Sequence, residues 1–233
     1  MRFQVAVVLA ALVVPGTPAP ASAAATGTLS APNDVLYDDC HEVAYSYSLT
    51  LDPGDVAWNL DVEVLAPDGT NFSSDYVSGT AVTTRGSSSF QVCSYEDAGT
   101  YTLRATGEAR DSGYEYRTFT LPDATMTIRK ARTQTKLNTP DHDLNKGQKF
   151  TFTIRVRDER PVGYRGTSYA EVVLQVRRSS KWVNLPGFRG TTNQNGVEQI
   201  KARWASDGPV TVRARTLPEG NLESSYSGPI TLR

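Results

Sequence analysis

Cysteine is scarce: the 233 residues contain two, Cys40 and Cys93. Two cannot build a disulfide-dense scaffold or a four-cysteine zinc site. Histidine and methionine also number two each, too few for a histidine-rich metal centre. Lysine is absent from residues 24–128. No apolar run approaches the roughly 20 residues that a bilayer-spanning helix needs. The Gly-x-Ser-x-Gly nucleophile elbow is missing, as is a glycine-rich phosphate loop. His41 begins a His-Glu pair, but no second histidine follows at the spacing of a zinc-protease helix. His142 lies in a polar Asp141-His142-Asp143 turn. No catalytic, cofactor-binding or metal-binding set is therefore assigned. A hydrolase using a carboxylate pair stays open as an alternative, because the acids are many.

The N-terminus is informative. Met1-Arg2 supplies a positive start, Val5 to Val14 is an unbroken apolar run, and Ala21-Ser22-Ala23 fits a small-residue cleavage site. Residues 1–23 are expected to be a signal peptide, and the remaining chain to be secreted and extracellular. That compartment is oxidising, so Cys40 and Cys93 are expected to pair, with two free thiols as the alternative.

Beyond residue 26 the hydrophobic pattern has period two almost throughout. Tyr45, Tyr47, Leu49 and Leu51 alternate with small polar residues. Val56, Trp58, Leu60, Val62 and Val64 form one face of a strand, and Phe150, Phe152, Ile154 and Val156 another, with Thr151, Thr153, Arg155 and Arg157 on the polar side. Turn signals such as Asp52-Pro53-Gly54, Pro67-Asp68-Gly69 and Asn195-Gly196 separate the runs. The expected class is all-β.

The strands also repeat. Tyr45–Leu51 resembles Phe150–Val156, Gly99–Ala105 resembles Gly208–Ala214, and Met126–Arg129 resembles Ile230–Arg233, in the same order and at similar offsets. Two tandem units over 27–129 and 133–233 are expected.

Asp97-Ala98-Gly99-Thr100-Tyr101 resembles the turn and penultimate strand of immunoglobulin-like domains. The resemblance implies that Tyr101 hydrogen-bonds back to the turn opened by Asp97, and that Trp58 is the buried tryptophan of the third strand. One departure is plain: the family's second cysteine position holds Leu103, and Cys93 stands before the turn. In a sandwich of this type, Cys40 and Cys93 would lie at one end of neighbouring strands. The second unit resembles immunoglobulin-like repeats of bacterial secreted and surface proteins. Such modules serve as spacers, adhesion units or accessory binding domains.

Charge divides the chain. Residues 24–128 carry sixteen acids and four arginines, a net of −12, whereas residues 129–233 carry nineteen bases and nine acids, a net of +10. Either the basic unit contacts an anionic cell-envelope polymer, or the units attract one another, or both are simply solvated. No nucleic-acid recognition motif is present. Asn33 and the acids at Asp34, Asp38, Asp39, Glu42, Asp52 and Asp55 invite a calcium reading, but no EF-hand spacing is present and scattered loop carboxylates are ordinarily just solvated, so no metal site is assigned to them. The stretch Arg157 to Ser168 reads as a long loop; Arg160, Tyr164 and Arg165 are its candidate contacts with another extracellular protein, as a loop-presenting inhibitor would make. The function expected is non-enzymatic binding or surface association.

Overall fold

A computed structural model describes residues 25–37, 39–206 and 208–233. The expected signal peptide, residues 1–23, lies outside the described residues. All regular structure among the described residues is strand.

Residues 26–130 form β1 (Thr26–Ser30), β2 (Asp34–Leu36), β3 (Cys40–Thr50), β4 (Asp55–Leu65), β5 (Asn71–Thr80), β6 (Arg85–Cys93), β7 (Gly99–Asp111), β8 (Tyr116–Thr120) and β9 (Ala124–Lys130). One sheet has the order β1-β3-β6, and the other β2-β9-β7-β4-β5, with β8 also paired to β7. Residues 133–232 form β10 (Thr133–Asn138), β11 (Lys149–Glu159), β12 (Tyr164–Gly166), β13 (Glu171–Arg178), β14 (Lys181–Thr191), β15 (Val197–Arg203), β16 (Val210–Thr216), β17 (Ser225–Tyr226) and β18 (Ile230–Leu232). Here β11 lies between β10 and β15, with β12 also on β11, and the facing sheet is β14-β13-β16 with β17 and β18 on β16. In both, one sheet, β1-β3-β6 or β10-β11-β15, is completed to a sandwich by a second built around β4-β7 or β13-β16, the two-sheet layout of immunoglobulin-like domains.

Alternation explains the interior. Side chains at every second position of a strand share a face. Leu60, Val62, Val64, Leu103 and Ile128 fill one core, and Phe152, Ile154, Val172, Leu174 and Ala214 fill another. Trp58 is 4% exposed, and its indole N–H donates to the Thr80 carbonyl at 3.1 Å. The Tyr101 hydroxyl donates to the Asp97 carbonyl at 2.8 Å. Burial pushes the Tyr101 phenol up to about 12, and Glu96, Asp97 and Asp68 add to it.

Period two fails at the start of β4. A bulge between Asp55 and Ala57, opposite β7, shifts the register. Val56, expected on the core face, is 40% exposed, and Asp55 is buried instead. The extra residue of a bulge reverses which face the preceding side chains take.

Cys40 and Cys93 are disulfide-bonded. They stand directly opposite one another on β3 and β6, with Cα atoms 4.0 Å apart. The bridge therefore staples two strands of one sheet, whereas the bridge of antibody domains joins the two sheets. Leu103, at the family's cysteine position, is fully buried.

Arg157 to Ser168 is not a long loop. β11 continues to Glu159, and β12 returns with Tyr164 opposite Glu159. The turn closes through the Arg160 N–H on the Gly163 carbonyl at 2.9 Å, and Gly163 takes a φ of 74°. That left-handed conformation suits glycine.

The segment between β9 and β10 is tied to the second core. Ala131 is fully buried and bridges Leu222 in parallel. Arg129 grips Glu159 with two bonds of 2.8 and 2.7 Å. Tyr37, just past β2, packs against the second core. It stacks on His41 with ring centroids 4.2 Å apart, and the Arg160 guanidinium covers it at 4.6 Å.

Candidate functional site

The outward face of the sheet containing β10, β11 and β15 is built by simple alternation. Phe150, Phe152, Ile154 and Val156 point into the core, which leaves Lys149, Thr151, Thr153, Arg155 and Arg157 on the other side of β11. Strand pairing adds neighbours. Lys136 of β10 stands opposite Arg155, Lys201 of β15 opposite Thr151, and Arg203 opposite Lys149. The outward positions of these three strands thus hold six exposed cations, and their one carboxylate, Glu159 at the end of β11, is taken up by Arg129 of β9. Arg157 donates to the Tyr164 carbonyl at 2.7 Å, and none of the six joins a salt bridge among the described residues.

Two of these pairings set like charges directly across a ladder, Lys136 against Arg155 and Lys149 against Arg203. Such pairs oppose folding. A nearby anion would relieve them.

The face is also grooved. One groove of about 660 Å³ is lined by Gln134, Lys136, Arg155, Arg157 and Asn195. A second of about 600 Å³ includes Asn138, Thr153, Gln199 and His142 and shares Arg155 as a wall. The first is bounded by a close approach of two turns. A Cβ on Gly166 would come within 2.4 Å of the Asn195 carbonyl oxygen, and one on Gly196 within 2.3 Å of the Val156 oxygen. The neighbouring threonine and amide side chains supply neutral donors and acceptors beside the cations.

The residues singled out in the sequence fall elsewhere. Arg160 is drawn onto Tyr37 and pairs with buried Asp158 at 2.9 Å, while Thr167 also donates to Asp158. Tyr164 is half-buried and Arg165 is exposed beside the same hairpin. Asp52 and Asp55 converge on Arg117, and Asp55 also accepts the Asp52 backbone N–H at 3.0 Å. They clip the bulge of β4. Asp34 accepts from or shares a proton with His41 at 3.0 Å, and Asp38 lies outside the described residues. No group of three or more metal-ligating side chains occurs among the described residues. Lys136, Lys149, Lys201 and Arg203 were not singled out from the sequence. Their signal was their place on the polar half of each alternating strand.

No protein-family model and no curated protein sequence matches the chain. Among solved structures, it is similar to the Yersinia pseudotuberculosis adhesin InvE, with a TM-score of 0.40 and 14% identity over 88% of this chain and 58% of that one. It is similar to the D00-D0 domain of intimin, with a TM-score of 0.33 and 13% identity over 88% of this chain and all of that one. A third likeness is to trypsin-activated alpha-2-macroglobulin from Escherichia coli, with a TM-score of 0.30 and 13% identity over 90% of this chain and 15% of that one. The chain thus spans less than two thirds of the adhesin and a small part of the macroglobulin. Strand order, the tyrosine turn and the buried Trp58 make it an all-β protein of immunoglobulin-like architecture.

Proposed function

We propose that this is a secreted, non-enzymatic surface-association protein of two tandem immunoglobulin-like units, whose basic second unit holds an anionic polymer of the cell envelope. The observation that carries the reading is the β10-β11-β15 face: six exposed cations, a single carboxylate (Glu159) already paired with Arg129, and two like-charged cross-strand pairs. A face with so large an excess of one sign of charge focuses potential outward and attracts a chain of the opposite sign. The grooves along Arg155 give such a chain a track. The first unit, at −12, repels the same polymer, so contact is confined to the second. The disulfide and the N-terminal apolar run support secretion.

The test is retention of the full secreted chain on washed cell envelopes across a salt series. Binding is expected at 0.05–0.15 M salt and release toward 1 M, as the Debye length shrinks to about 3 Å. A Lys136→Ser/Arg155→Ser variant should elute at lower salt. Retention indifferent to salt and to that variant would refute the reading.

A further inference from the structure

The opposite side of the same sandwich is cationic as well, in a different style. The outward positions of β13, β14, β16 and β17 carry Arg177, Arg189, Arg213 and Arg215. Glu171 is the acid among them, and it is ion-paired with Arg189. Arg213 lies over two rings, 4.4 Å from the Trp182 centroid and 4.1 Å from that of Tyr226. Its Nε donates to the Gln175 side-chain oxygen at 2.8 Å, and the Gln175 amide donates to Asn184 at 2.8 Å. Arg215 lies over the same Tyr226 ring, 5.5 Å from its centroid, and its Nε is buried with no hydrogen-bond partner.

This ladder immobilises a guanidinium in advance. Two rings stack on the Arg213 guanidinium and its Nε is taken by Gln175, so its remaining capacity lies in its terminal in-plane N–H groups, the edge that meets a carboxylate or sulfate. Little rotamer entropy is left to lose on binding. Trp182 and Tyr226 are only partly buried, which leaves ring surface for a sugar to lie against.

We infer that the second unit cross-links acidic polysaccharide, holding one stretch on the lysine-rich β10-β11-β15 face and another on the arginine–aromatic β14-β13-β16 face. The inference rests on the anion-binding reading above and adds valency to it. Two outward faces of a sandwich look in opposite directions, with sheets about 10 Å apart. A flat membrane meets one of them at a time, whereas flexible polymer reaches both. Bivalent engagement then turns a soluble binder into a junction between chains.

The experiment uses the full secreted chain with polygalacturonate as the probe. Calorimetry reads binding, light scattering reads bridging, and sedimentation without polymer reads self-association. The wild-type protein should be monomeric alone, bind, and raise scattering through a maximum that falls at excess protein. Lys136→Ser/Arg155→Ser on one face, and Arg213→Gln/Arg215→Gln on the other, should each weaken binding about three- to tenfold and abolish the scattering maximum. Should the second variant melt early, Arg177→Gln/Arg189→Gln leaves the ladder intact and serves in its place. Binding without bridging, bridging unchanged in a single-face variant, or bridging explained by dimers formed without polymer overturns the inference and leaves the proposed function standing. Absence of binding by the folded wild type overturns both.

Discussion

Replacing two lysines should make this protein more stable. Lys136 faces Arg155 and Lys149 faces Arg203 across adjacent strands. All four are exposed, so each repulsion is screened and costs about 0.2–0.5 kcal/mol, the lower part of the cross-strand range. Positions 136/155 and 149/203 share no partner, and residues 149 and 155 lie six positions apart on β11, about 20 Å. Their effects should therefore add. Lys136→Gln/Lys149→Gln is expected to gain about 0.4–1 kcal/mol, a rise of roughly 2–8 °C in melting temperature for a unit of about 100 residues. Lys201→Gln is the control, since Lys201 faces Thr151. It should gain less. The assay is thermal melting at 0.02 M and 1 M salt, beside envelope retention. The double variant should melt higher at low salt, lose most of that advantage at 1 M, and bind envelopes more weakly. A variant that is less stable at low salt, or whose gain persists unchanged at 1 M, would refute the claim that charge crowding on this face is held for binding at the expense of stability.

Tyr101→Phe removes the hydroxyl bond to Asp97 and should cost about 0.5–1.5 kcal/mol by urea titration. Because burial raises the Tyr101 phenol to about 12 in the folded chain, its contribution is complete below about pH 10 and is lost as pH rises through about 12; the phenylalanine variant should show a shallower alkaline decline. Breaking the Cys40–Cys93 bridge, with a sequence separation of 53, should cost about 4 kcal/mol by the loop-entropy relation, read by melting Cys40→Ala/Cys93→Ala against wild type. Hydrogen bonds from Arg129 hold the Glu159 carboxyl below its ordinary range, so that pair stabilises above the ordinary carboxylate range and is lost as pH falls through the lowered value; Glu159→Gln should flatten the acid limb of the stability profile. No change in that limb would mean the pair contributes nothing to the fold.

Much of the architecture was legible in sequence because it is local. The alternation over Phe150–Val156 needs only the two-residue period of a strand, and the Asp97–Tyr101 turn closes within four residues through one hydrogen bond. Trp58 was readable for the same reason, and the strands that repeat in sequence, such as β3 with β11 and β7 with β16, take equivalent places in their sheets. Tertiary structure decided what depends on who pairs with whom. The bulge at Asp55 and Ala57 exists only against β7, and it turned Val56 outward and Asp55 inward. Arg160 left the solvent because Tyr37, more than a hundred residues earlier, offers its ring. The six cations of the basic face come from three strands separated by tens of residues; composition records their number, but ladder register alone sets Lys136 beside Arg155 and Arg203 beside Lys149. Periodicity assigns each side chain to a side of its own strand, and only the hydrogen bonds between strands make those sides one surface.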